Sequence, residues 1–302
     1  MSTLTIPQRA AAQMVLVTFL WAAFFVSGKL AVAEAGPMVV AALRFAMAGT
    51  VLAVWLVAKE KGAFRLSGRD WVLALALGAT GVVAYNWLTF VGLTLAPATD
   101  GAMISPSLNP VLTVFLAALW FHEPLSRNKV LGLVLAIGGL ALIFGGPMLM
   151  AQSTPGRWLG DVMLLGSGVA WSAYTLLGRA ATGRFSSLAS TTYASVLGGL
   201  MLLPLAWAPL QAVTWSALTP AFWGHITFLA LGSTVAAFML FQSSIRLVGA
   251  SNTVVYLPLI PIFGVLMGVI FLHERPGPLQ VAGLLVAIAG VWLANWPARA
   301  SS

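Results

Sequence analysis

The segment SPSLNPVLTVFLAALWFHEPLSRNKVLGLVLAIGG, residues 105–139, has a second version near the C-terminus, LPLIPIFGVLMGVIFLHERPGPLQVAGLLVAIAG, residues 257–290. In each, two prolines open an apolar run, a His-Glu pair closes it, and a second apolar run follows with glycines seven residues apart. Pro110, His122, Glu123, Gly132 and Gly139 correspond to Pro261, His273, Glu274, Gly283 and Gly290 at a constant offset of 151 residues, half the chain. Duplicated apolar runs long enough to cross a bilayer are the pattern of a carrier built from two structural repeats. The halves divide at residues 1–150 and 151–302.

Composition leads to the same class independently. Hydrophobic residues make up 60% of the chain, charged residues only 7%, and mean hydropathy is +0.97; a soluble chain carries roughly 25% charged residues. Most of the surface is therefore expected to face the lipid bilayer or other membrane helices. The net charge of +8 does not point to nucleic acid, because the basic residues sit in short loops between apolar runs and form no stripe. With no cysteine, disulfides and thiolate metal sites are excluded.

The first apolar run, about Gln13 to Ala33, ends in Ala31-Val32-Ala33, which resembles a signal-peptidase site. It is too long for a signal core and contains Trp21, and its WAAFFVSGK (Trp21 to Lys29) matches WSAYTLLGR (Trp171 to Arg179). It reads as the first membrane helix. A bilayer core of about 30 Å takes about 20 apolar residues per helix. Cutting the chain at charges, Pro and Gly clusters gives an all-α polytopic protein of ten transmembrane helices. The limits are 13–33, 37–58, 71–95, 98–121 and 129–146, then 158–178, 187–208, 220–248, 250–272 and 278–296.

Loop charges orient the chain, since Lys and Arg accumulate on the cytoplasmic side. One side carries Arg9, Lys59, Lys61, Arg65, Arg69, Arg127, Lys129, Arg179, Arg184, Arg246 and Arg299; the other has only Lys29, Arg157 and Arg275. Both termini are thus expected in the cytoplasm, in a bacterial inner membrane. Five helices per half make the repeats antiparallel, so the His122-Glu123 loop is cytoplasmic and the His273-Glu274 loop lies outside. Substrate is expected near the midplane, in a central cavity where the two inverted repeats meet.

These residues resemble the drug/metabolite transporter superfamily and, within it, the EamA-type ten-helix carriers. The resemblance runs over nearly the whole chain. It is carried most specifically by GLTLAPATDGAMISPSLNPVLTVFLAALWFHEPLS, residues 92–126, and LVGASNTVVYLPLIPIFGVLMGVIFLHER, residues 247–275. It implies export of amino acids and other small metabolites, with helices 1–4 and 6–9 around a cavity and helices 5 and 10 behind. Within the family the chain looks most like the YddG-type exporters of aromatic and other neutral amino acids, although the shared motifs carry no substrate signature.

Three groups of residues are candidates for the substrate site. Pro106 and Pro110, with Pro258 and Pro261, interrupt two helices and leave the carbonyls of Ala102, Pro106, Val254 and Leu257 to find partners, unless they only kink the bundle. Polar groups collect around these breaks, and Ser105, Asn109 and Tyr256 are included for that reason. Most of the twelve tryptophans lie near helix ends, where an interfacial belt accounts for them. Trp21, Trp87 and Trp171 lie well inside spans with Tyr85, Asn86 and Tyr174, a lining suited to apolar or aromatic side chains or, equally, plain helix packing. Arg44 is a charge within helix 2 whose counterpart is Ala194. It snorkels to the surface, pairs with Glu34, or holds a substrate carboxylate. Lys29 and Arg179 end symmetry-related helices as anchors or gate charges.

Other chemistry finds little support. HExxH would need histidine where Ser126 and Gly277 stand, so Glu123 and Glu274 are read as closing helix ends or pairing with Arg127, Lys129 and Arg275. No GxxxxGK[ST] motif is present, and no metal, cofactor or enzymatic activity is expected. The expected function is therefore secondary transport of a small neutral metabolite by alternating access. A phosphorylated-sugar or nucleotide-sugar exchanger, an intramembrane enzyme and a scaffold are the alternatives. All seven acids lie in loops or close to helix ends, so movement down a gradient is expected in place of proton exchange.

Overall fold

The computed structural model describes residues 5–60, 66–121, 126–149 and 156–294; the His122-Glu123 pair of the first repeat and Arg299 lie outside these. Ten helical segments follow one another: α1 Ile6–Ala35, α2 Pro37–Lys59, α3 Gly68–Leu95, α4 Ala98–Phe121, α5 Arg127–Leu149, α6 Arg157–Ala180, α7 Ser187–Ala212, α8 Pro220–Val248, α9 Asn252–Leu272 and α10 Pro278–Ala294. Seven of them are long and apolar enough to cross a membrane on length and composition alone. Among the described residues no strand forms. This is a multi-pass helical membrane protein, as the spacing of apolar runs predicts, with α1 starting seven residues earlier than expected because Thr5 and Gln8 form a capping box.

The helix junctions are very short. Gly36, at φ +77°, is the whole connection between α1 and α2, and Pro37 supplies the first residue of the next helix. That φ favours glycine, and proline at a helix start forfeits no hydrogen bond. Glu34 and Thr219 brace the same end: Thr219 donates to the Glu34 carboxylate while its hydroxyl caps α8 by accepting from the Phe222 amide.

Helix contacts recur in matched pairs with the halves exchanged. Helix α1 packs on α8 and α9, and α6 packs on α3 and α4. Three contacts lie between equivalent helices: α2 with α7, α4 with α9, and α5 with α10. The last is the closest. A Cβ on Gly139 would fall 2.5 Å from the Gly283 carbonyl and the Ala287 amide, and one on Gly132 would fall 2.5 Å from the Gly290 carbonyl. The glycines repeated in sequence therefore face each other, and any side chain there would hold the backbones apart.

Polar contacts fix which turns share a face. Lys29 reaches the end of α3, Glu34 binds Thr219, Glu274 binds the start of α4, and Arg157 binds Asp100. These place the α1–α2, α3–α4, α7–α8 and α9–α10 turns and the start of α6 together on what is called the Lys29 face. At the opposite face Arg184, after α6, binds Asp70 in the first turn of α3. Equivalent turns of the two halves thus lie on opposite faces, which is the inverted repeat.

Two departures from regular helix bear on the site. Helices α3 and α8 each contain a π-helical stretch, Ala79–Ala84 and Phe228–Ala236, a distortion that often accompanies function. Helix α9 is broken between Val254 and Leu259, where Leu257 and Ile260 amides bond three residues back to Val254 and Leu257. Those two carbonyls are thus satisfied locally, correcting the expectation that they are free to meet a cavity. Helix α4 runs on through both of its prolines.

Candidate functional site

The centre of the bundle holds a chain of aromatic rings drawn from both halves. Trp171 on α6 lies 4.8 Å from Tyr85 on α3, 5.1 Å from Tyr174 and 6.1 Å from Phe238 on α8, centroid to centroid. Trp21 on α1 lies 5.7 Å from Phe238 and 5.2 Å from Phe241, and its indole donates to the Ser233 carbonyl at 3.2 Å. Phe238 stands to Trp21 as Tyr85 stands to Trp171, so the internal repeat is visible in the ring contacts. Phe24 stacks on Tyr85 at 6.1 Å and extends the row. Except for Phe24, these rings are only partly buried. Since they are deep within four mutually facing helices, the surface they leave free belongs to the space between the halves.

Arg44 lies behind this row. It is 6% exposed, which removes the snorkelling reading. Its Nε and Nη2 donate to Thr234 Oγ1 at 3.0 and 2.8 Å, and Nη1 donates to Asn86 Oδ1 at 2.7 Å. The Phe24 and Phe45 rings flank the guanidinium at 4.7 and 5.0 Å. Thr234 belongs to the π-helical stretch of α8, and Asn86 follows that of α3, so both distortions serve the same cation. No carboxylate among the described residues contacts it, and Glu34 is engaged with Thr219 instead. A buried guanidinium with only neutral partners is costly, and it remains a strong attractor of an anion.

Of the other sequence candidates, Ser105 borders this cluster: it is buried beside the Tyr85 hydroxyl and accepts from Ser167 at 3.2 Å. Asn109 accepts from Ser172 at 3.3 Å further along the α4–α6 seam, outside the cluster. Trp87 is 48% exposed, on the same outward side of α3 as Thr94 two turns on. Tyr256 lies in the break of α9. The interrupting prolines line a shallow, largely apolar crevice with Ser107, Leu257, Ile288 and Val291, on the side of α10. Phe24, Phe238, Phe241 and Thr234 were not among the sequence candidates. Phe24 follows Trp21 by one helical turn and so carried a signal, whereas the 151-residue offset matches Phe238 to Trp87.

The Lys29 face is closed by a second polar cluster. Arg157 binds Asp100 through Nε at 2.8 Å and Nη2 at 2.7 Å, and Gln280 Nε2 donates to Asp100 at 2.7 Å. Glu274 accepts from the Ala98 and Thr99 amides at 2.7 and 2.8 Å, capping α4. It closes a helix end as expected, but that of the other half, while Arg275 stays exposed. Lys29 Nζ donates to the carbonyls of Leu93 and Ala96 at the end of α3. Helices α4 and α9 touch just beneath, where Gly264 meets Ala102 and a Cβ on Gly268 would fall 2.5 Å from Thr99 Cγ2.

Two copies of one family model, the EamA-like transporter family, match residues 8–145 and 158–296. The chain belongs to that family. It is 30% identical to the uncharacterized transporter YyaM of Bacillus subtilis over 90% of this chain and 89% of the relative. It is also 26% identical to a "Probable terminal-alkyne amino-acid exporter" of Streptantibioticus cattleyicolor, over 93% of this chain and 92% of that protein. A solved crystal structure aligns with a TM-score of 0.66 at 20% identity, over 94% of this chain and 96% of that one, which supports the fold. The protein is a transporter of the EamA type.

Proposed function

We propose that this transporter exports small neutral amino acids, aromatic ones included, by alternating access across a bacterial inner membrane, with substrate moving down its own gradient. The observation that carries this reading is Arg44, a buried cation with only neutral partners beside a row of half-buried aromatic rings. A zwitterionic amino acid supplies what such a site lacks: a carboxylate for the guanidinium and an apolar side chain for the rings. Trp21, Tyr85, Trp171, Tyr174, Phe24 and Phe238 form the lining, with Asn86 and Thr234 orienting Arg44. One relative described as an amino-acid exporter supports the substrate class. A phosphorylated substrate fits less well, because Lys29 and Arg157 are both engaged at the Lys29 face. The excess of basic residues on the opposite side makes the Lys29 face external.

The test is binding to purified protein of a panel of amino acids and their amides, in native protein and in Arg44→Gln. Native protein is expected to prefer each acid over its amide by roughly 10–100-fold, the value of one charge-assisted bond. Arg44→Gln is expected to erase that preference while still binding the amides. Equal affinity of native protein for acid and amide overturns the reading.

A further inference from the structure

Asp161 lies one turn after Arg157 on α6, on the side from which Arg157 reaches Asp100 on α4, and is 2% exposed. Arg157 and Gln280 both donate to Asp100, whereas Asp161 Oδ1 receives no hydrogen bond from any described residue. Both carboxylates are buried in the neighbourhood of one arginine, and two buried anions so placed cannot both persist, so one of them holds a proton. The remaining charges around the pair lead to the same conclusion. Lys29 faces it from α1 and Glu274 from the turn before α10. Helix α3, which also packs here, brings only Leu95 and Ala96 against Gly160. With one proton on Asp161, two cations meet two anions. Without it, the buried set carries one negative charge in excess.

We propose that Asp161 is a proton-binding site that latches the Lys29 face. While the face is sealed, the carboxylic acid of Asp161 donates to the Asp100 carboxylate. When α4 parts from α6 and α9, water reaches both groups, and Asp161 becomes a carboxylate as its proton passes to the solution on that side. The proton returns from the same side on closing, so none is carried across the membrane and the gradient-driven movement proposed above is unaffected. The sealed state holds one proton more than the open state. Acid on this side therefore favours sealing and alkali favours opening, with the open-to-sealed ratio changing by up to about tenfold per pH unit.

The chain has no cysteine, so Thr99→Cys, at the α4–α9 contact, reports opening. Its rate of modification by an impermeant maleimide added at the Lys29 face is divided by that of Ser216→Cys, exposed on the same face, to remove the pH dependence of the thiol. No substrate is present, so the outcome is independent of the amino-acid reading. The normalised rate is expected to rise with pH, by up to about tenfold per unit, and to become low and flat with Asp161→Asn. A flat profile in the native background, or an unchanged slope in Asp161→Asn, overturns the proposal. If Asp161→Asn yields no folded carrier, Asp161→Glu replaces it: a displaced midpoint supports the site and an unmoved one overturns it.

Discussion

At the Lys29 face the Arg157–Asp100 pair has side chains 9% and 0% exposed, whereas at the opposite face the Arg184–Asp70 pair stands 47% and 23% exposed. The first pair is joined by Gln280 and lies beside Lys29 and Glu274, each satisfying helix-end backbone. Among the described residues the second is joined by Ser67 on Asp70 and a neighbouring Ser186–Glu60 bond. Helices α4 and α9 meet in van der Waals contact beneath the first cluster. Among the described residues, one end of the bundle is thus tied by a buried cluster and the other by exposed pairs, so a sequence repeat of equal halves need not be tied equally at both ends.

The largest expected effect is at the buried cluster. Arg157→Gln leaves Asp100 as a buried anion without its cation and is expected to cost about 3–5 kcal/mol of stability, read by thermal or denaturant unfolding in detergent. A loss no greater than that of an exposed pair would mean that the cluster is hydrated and the face is not sealed. Next comes the seam that does not move. Gly139→Ala pushes a methyl into the α10 backbone and is expected to cost up to about 3 kcal/mol, whereas Gly138→Ala, with open space around it, is expected to cost nothing measurable. Equal tolerance at both would deny that α5 and α10 form a rigid spine.

Within the site, Trp171→Ala is expected to weaken substrate binding by about 2 kcal/mol, and Trp292→Ala, 53% exposed on α10, to leave it unchanged. Equal losses would reduce the ring cluster to packing. The smallest effect is at the end tied by exposed pairs, where Arg184→Gln is expected to change stability by less than about 1 kcal/mol.

Much of the scaffold was legible because it rests on periodic or repeated residues. Apolar runs gave the ten helices, and the glycines of the repeated segment were visible as a repeat, although that they meet at the α5–α10 seam was not. Trp21, Trp171 and Tyr85 were legible for the same reason. The rest depended on distant parts of the chain meeting. Asp100, Asp161 and Gln280 are unremarkable in sequence, and Asp100 and Asp161, close to helix ends as read, are buried there. Arg44 was visible as a charge within a span, but its neutral surroundings depend on the π-helical stretches of α3 and α8, which no apolar periodicity announces. For a test of opposite faces, Arg275→Cys paired with Ser126→Cys is a suitable reporter, since the neighbouring Gly277 is buried with its amide on Gln280.

The central claim is that the Lys29 face must open for transport. A disulfide between Thr99→Cys and Gly268→Cys tests it directly, because a Cβ on Gly268 lies in contact with the Thr99 side chain, within the reach of a disulfide. In proteoliposomes the oxidised pair is expected to bind substrate from the opposite face but to show no turnover, with full recovery on reduction. Undiminished transport by the fully oxidised protein would contradict the account.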